Sequence, residues 1–154
     1  MPAWSLEIAN EFISRASADG KAFTQMHLQE LVYIAHGWAL ALTSEPLTGD
    51  RPEAFEYGPE YRRLADALQR CGTQGVTSLI EVRLPAAELS QAEHDLINRI
   101  YSAYGSQSTS KLGTLTRSDG TPWAHVYADG AGSGRDIPHG LIREQFTKIL
   151  AEFP

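Results

Sequence analysis

Residues 24–44, TQMHLQELVYIAHGWALALTS, decide the architecture. Leu28, Leu31, Val32, Ala35, Ala39 and Leu42 recur at helical spacing and form one apolar stripe. Ile34, Trp38, Leu40 and Ala41 widen that stripe until the helix is apolar nearly all round. A helix of this kind belongs at the centre of a bundle, because every face must be covered. Thr24 is a residue type that caps a helix N-terminus, and Phe23 and Leu28 stand at the two positions of a hydrophobic staple.

Working outward, SLEIANEFISRASADG places Ile8, Ala9, Phe12, Ile13 and Ala16 on one face of a first helix that Asp19-Gly20 ends. Beyond the central helix, EPLTGDRPEAFEYGP is a turn-rich connector, and Gly58-Pro59 opens a third helix with proline at its first position and Tyr61 on its first turn. Gly72 stands where a C-terminal cap belongs. LIEVRLP, residues 79–85, alternates and predicts a short strand, with the extended piece Ala54–Tyr57 as its partner. Ser90 with Glu93 makes a capping box ahead of Ile97, Ile100, Tyr101 and Tyr104. A short helix is expected around Leu112 and Leu115, an ordered turn at Thr121–Tyr127, and a mobile glycine loop at 129–136. The terminal helix turns Ile142, Phe146, Ile149, Leu150 and Phe153 inward. The expectation is a single, mainly α domain over residues 1–154: five to six helices around a central apolar one, with a small two-stranded β element.

Composition narrows the function. Thirteen basic against nineteen acidic residues leave a net charge of −6, which disfavours nonspecific binding to nucleic acid and suits a basic protein partner. The lone Cys71 excludes an internal disulfide and fits a reducing compartment. The N-terminus has no basic region followed by an apolar run, and Leu31–Leu42 is broken by His36 and too short for a bilayer, so a cytoplasmic location is expected.

The polar motifs each lack the partners that site chemistry needs. His27 and His36 share a helix, but nine residues turn it by about 900°, which points them to opposite sides. His94, His125 and His139 lie in separate segments, so no metal and no cofactor are expected. GAGSGRD, Gly130–Asp136, lacks the Gly-Lys-Ser/Thr ending of a phosphate loop, and Ser133 lacks the setting of a nucleophile elbow. Glu56, between Phe55 and Tyr57, is the one acid in aromatic company, yet in an extended segment it faces away from both. No catalytic residue is assigned. An aromatic rim is the remaining candidate: Tyr33, His36, Phe55, Tyr57, Glu60 and Tyr61 as partner-binding residues. Trp38 reads as core, whereas Tyr33 and Tyr61 suit either core or rim, since a phenol seeks a partner for its O–H.

The stretch Leu28–Leu68 resembles the signature of the Panacea domain family, which includes SocA-like antitoxins and phage-associated proteins. The matching residues are Leu28, Gln29, Leu31, Tyr33, His36, Gly37, Pro46, Leu47, Ala54, Gly58 and Pro59. GTPW, ending at Trp123, is similar to a later proline-tryptophan turn, and IPHGLIREQF to the closing helix. Leu28, Gln29, Leu31, Trp38, Gly58, Pro59 and Trp123 are taken as the structural motif. Glu30 stands where the family usually has lysine, Phe55 where it has tryptophan, and Glu60 where it has valine. The resemblance implies an antitoxin that neutralises a nearby-encoded protein toxin by direct contact. It implies as alternatives an adaptor that delivers the toxin to an ATP-dependent protease, or a phage-associated interaction protein. None of these roles requires an active site.

Overall fold

A computed structural model describes residues 2–83 and 88–152. Its elements run α1 (Ser5–Ala18), α2 (Gln25–Thr43), β1 (Glu53–Phe55), β2 (Gly58–Glu60), α3 (Arg62–Leu68), α4 (Gln91–Tyr104), α5 (Thr109–Thr116), α6 (Pro122–Tyr127) and α7 (His139–Glu152). The fold is mainly α with one two-stranded antiparallel sheet, as expected. The α2 helix is the hub: it packs against α1, α3, α4, α5, α7 and β2. Its residues from Leu28 to Gly37 are all buried. The Thr24 hydroxyl accepts from His27 N at 3.3 Å, as the capping position predicts. Ser90 and Glu93 form the reciprocal box at α4, with Glu93 N donating to Ser90 Oγ at 3.1 Å and Ser90 N to Glu93 Oε1 at 2.8 Å. The short helix around Leu112 is α5, and the turn at 121–127 is a helix, started by the Thr121 cap and Pro122.

Three expectations are corrected. Residues 79–83 form neither strand nor helix, and Leu84 and Pro85 lie outside the described residues. The Ile80 backbone is held by the Asn10 side chain, which accepts from Ile80 N at 2.7 Å and donates to Ile80 O at 2.9 Å. A side-chain amide thus takes the place a partner strand would fill.

The second correction concerns the partner of Ala54–Tyr57. It is β2, reached through a two-residue turn, with register Glu53↔Glu60, Ala54↔Pro59 and Phe55↔Gly58. Gly58-Pro59 therefore belongs to a strand; α3 begins at Arg62, with Tyr61 at its N-cap. Proline is tolerated there because the Ala54↔Pro59 pair exchanges no ladder bonds. Ala54 instead turns its own groups the other way, donating to Arg135 O at 2.8 Å and accepting from Gly134 N at 2.7 Å.

That bonding carries the third correction. The glycine segment is docked along β1, with Ile137 N donating to Pro52 O at 2.9 Å and Gly132 N to Tyr127 O at 2.9 Å. A Cβ on Gly132 would overlap the Val126 carbonyl oxygen, so the glycine is demanded by close backbone approach.

The same device joins α2 to α7. A Cβ on Gly37 would overlap the edge of the Phe146 ring, which is fully buried and held edge-on to Trp38 at 5.5 Å between centroids. Gly37→Ala is expected to destabilise the domain by about 1–3 kcal/mol through overpacking, less any gain in helix propensity. In a Phe146→Leu background the same substitution should cost much less. Denaturant unfolding of the four variants measures this coupling, and strict additivity would show that the two positions do not share the space.

Candidate functional site

The site is built from the polar residues that α2 carries into the interior. Gln29 is the first. Its Oε1 accepts from Tyr61 N at 2.8 Å and its Nε2 donates to Tyr61 O at 3.0 Å. One buried amide thereby completes both backbone groups at the junction of β2 and α3 and ties the hairpin to α2. His36 is the second. Its Nδ1 accepts from Leu47 N at 3.2 Å and Thr48 N at 3.4 Å, so the ring proton resides on Nε2, 3.2 Å from His139 Nδ1. Burial, with a smaller contribution from His139, pushes His36 down to about 3 and keeps it neutral. Tyr61 Oη lies 3.3 Å from Thr48 Oγ1, which donates to Asp50 O at 2.9 Å.

These contacts separate the rim residues expected from sequence into two groups. Tyr33, His36 and Tyr61 are fully buried, which corrects their placement on a surface rim. Phenol and imidazole were ambiguous from sequence because the groups that enclose them lie far along the chain. Trp38 packs partly buried against the core, with Nε1 donating to Tyr104 Oη at 3.1 Å. Leu28, Leu31, Gly58 and Pro59 are buried, and Trp123 Nε1 donates to Phe55 O at 2.7 Å, fastening β1 to α6. The structural motif is thus a set of tethers. Phe55, Tyr57 and Glu60 remain at the surface, and Tyr57 at the hairpin tip is 71% exposed. Glu56 beside it is also exposed to solvent, as its extended setting predicts.

The three surface residues come together around a cleft of about 430 Å³ between the hairpin and the start of α2. Met26, Phe55 and Pro59 supply apolar lining, and Glu30, Thr73, Thr109 and Thr116 are among its polar lining residues. Glu30 is only 4% exposed. Its Oε2 lies 3.3 Å from Arg117 Nη1 and 3.5 Å from Thr116 Oγ1, while its Oε1 has no hydrogen-bond partner among the described residues. Burial raises its carboxyl to about 7, against the opposing pull of Arg117 and Thr116. Arg117 also reaches Tyr57 O at 3.5 Å and Thr109 O at 3.4 Å, so one guanidinium joins Glu30, the hairpin tip and α5. Glu60 at the cleft edge is raised by partial burial and by Glu53 and Asp66, with Arg62 opposing.

Glu30, Met26 and Arg117 were not singled out as site residues by sequence reasoning. The signal was an acid on a helix apolar nearly all round, which demands an internal partner. Among the described residues no three His, Cys, Asp or Glu side chains converge as a metal-ligand set, and no helix is long and apolar enough to cross a membrane.

Two of the perturbed groups on α2, Glu30 and His36, act on stability in opposite directions. The Glu30 carboxyl, ordinarily near 4.5, sits at about 7 in the folded state, so folding binds a proton between those values. Its contribution falls as pH rises from about 4.5 to about 7 and is level above. His36 is depressed from 6.5 to about 3, so the unfolded chain binds the extra proton and stability falls as pH drops below 6.5. Glu30→Gln removes only the first limb. Its stability relative to the parent should grow from pH 4.5 to 7, reaching about 2 kcal/mol, with Arg117 still partly solvated. Urea unfolding at a series of pH values checks this; a pH-independent difference would refute the shift.

The comparisons fall on this same framework. The family model described as "Antitoxin SocA-like, Panacea domain" matches residues 28–124, a span that runs from the start of the α2 motif through the hairpin and past Trp123. Antitoxin SocA of Caulobacter vibrioides (strain NA1000 / CB15N) is 28% identical over 165 aligned positions, which cover 96% of this chain and 85% of the relative. No solved structure matches the chain. With Gln29, His36, Gly58, Pro59 and Trp123 placed as internal tethers inside the matched span, the chain belongs to the SocA-like antitoxin family, built on the Panacea domain.

Proposed function

We propose that this chain is an antitoxin that neutralises a cognate protein toxin by direct contact, without bond-breaking chemistry. The observation that carries the reading is the match to Antitoxin SocA across nearly the whole chain. The geometry supports a contact role. Gln29 and His36 on α2 hold the ends of the segment that carries the hairpin, and the hairpin holds an exposed aromatic tip beside an apolar-walled, acid-edged cleft. Exposed tyrosine flanked by partly buried aromatic and charged residues is the composition of interface hot spots. The net charge of −6 would steer a basic toxin toward this surface.

The test is co-expression with the product of the adjacent gene, scored by growth rescue and by co-elution on size exclusion. Rescue with a stable complex is expected; a toxic neighbour that is neither rescued nor bound would end the reading. Within the complex, Tyr57→Ser and Glu60→Lys should each weaken binding by about tenfold or more. Both positions reach solvent, and Tyr57→Ser should change stability by no more than about 0.5 kcal/mol. Isothermal titration beside thermal melts separates lost contact from lost fold.

A further inference from the structure

We propose that Arg117 is a positioning residue for partner contact: lying in a slot that Gly113 leaves on α5, its guanidinium clasps the hairpin tip and holds Tyr57 in place before a toxin arrives. This rests on the antitoxin reading and names the device that readies its contact surface.

Arg117 is the C-cap residue of α5, and its N–H donates to Gly113 O at 2.8 Å. Residues four apart share a helix face. The guanidinium runs back along α5 over position 113 and donates from Nη2 to Thr109 O at 3.4 Å. Gly113 keeps that route open, because a Cβ there would lie 2.6 Å from Arg117 Cζ and Nη2. Glycine inside a helix is a poor choice, better only than proline, so its place in α5 calls for a reason. The space taken by Arg117 supplies one.

The other terminal nitrogen meets the hairpin. Nη1 donates to Tyr57 O at 3.5 Å and to Glu30 Oε2 at 3.3 Å. The alkyl stem passes the open side of Gly58, where a Cβ would come within 3.6 Å of Arg117 Cδ. Gly58 has φ +122°, a conformation that glycine adopts readily, and glycine leaves such a joint loose unless something packs on it. It directly follows Tyr57 in the two-residue turn that links Phe55 to Gly58. Arg117 therefore brackets the joint, with a hydrogen bond on the Tyr57 carbonyl and its stem against Gly58. The Tyr57 backbone is fixed while the side chain stays in solvent. An anchor ordered before association loses less conformational freedom on binding.

The substitution that isolates this role is Gly113→Ala. Gly113 is buried, so a partner cannot touch it, and the added methyl displaces only the movable end of Arg117 while helix propensity favours the change. In the full chain alone, amide hydrogen exchange at Phe55 and Gly58 should quicken by about tenfold in Gly113→Ala, with protection along α2 retained. Unchanged exchange at the hairpin would overturn the clasp. Isothermal titration with the product of the adjacent gene then compares Gly113→Ala in the parent chain and in the Tyr57→Ser and Arg117→Ala backgrounds. It should weaken binding by about threefold to tenfold in the parent chain and change nothing further in either background. A loss of the same size in the Tyr57→Ser background would overturn the role assigned to Arg117, since Tyr57 would not be what it positions. If the parent chain binds the toxin and Gly113→Ala binds it equally, the positioning role fails and the antitoxin reading stands. If the parent chain binds no toxin, the antitoxin reading fails on its own, and hydrogen exchange alone decides whether Arg117 holds the tip.

Discussion

Every part of this domain answers to one constraint: α2 is apolar on almost all sides and yet carries Gln29, Glu30 and His36 into the interior. Covering the helix requires neighbours all round, and α1, α3, α4, α5, α7 and β2 supply them. Satisfying its polar groups requires that particular neighbours arrive in particular places. A buried amide or imidazole without a partner costs about 1–3 kcal/mol, comparable to a sizeable share of a small domain's stability. Gln29 therefore dictates where Tyr61 sits, and His36 dictates where the Leu47–Thr48 turn sits. Between these two fixed points the chain must travel as a hairpin.

This explains why a sequence signature spread over the connector behaves as scaffold rather than as contact surface. Gly58 and Pro59 are compatible with a strand beside β1 because β2 is an edge strand and Ala54 turns its groups toward the glycine segment instead. Trp123 secures the opposite end of β1 through the Phe55 carbonyl. The residues free to vary in such an arrangement are those whose side chains leave the tethers: Phe55, Tyr57 and Glu60. The departures from the family pattern at positions 55 and 60 fall on this surface, whereas that at position 30 is buried.

Local rules were legible in the sequence, and nonlocal ones were not. The Thr24 cap, the Ser90–Glu93 box, the helix at Leu112 and the central place of α2 follow from periodicity and capping alone, because each depends on residues within one or two turns. The pairing of β1 with β2 was missed since a Gly-Pro pair reads equally as a helix start, and what decides it is the glycine segment some eighty positions later, docked on the other edge of β1. The alternation at residues 79–83 promised a strand, but the groups that would have paired with a neighbour are taken by Asn10. Burial of Tyr33, His36 and Tyr61 was undecidable for a related reason: the amphipathic character of a phenol or imidazole permits both environments, and for His36 and Tyr61 the choice rests on His139 and Thr48, while the Tyr33 hydroxyl is buried with no partner among the described residues.

Position 30 shows how scaffold and surface are linked. Arg117 binds Glu30 with the same guanidinium that reaches the Tyr57 carbonyl and the Thr109 carbonyl. A change in charge at Glu30 is therefore felt at the hairpin tip without any movement of α2. When the carboxyl is protonated, the Arg117 attraction weakens and the hairpin loses one of its anchors; when it is ionised, the attraction holds Arg117 in place. Gln29, one residue earlier, holds the base of the same hairpin by neutral hydrogen bonds that do not respond to charge. Adjacent residues on one helix thus divide the work, the amide setting the position of the hairpin and the acid setting how firmly its tip is held.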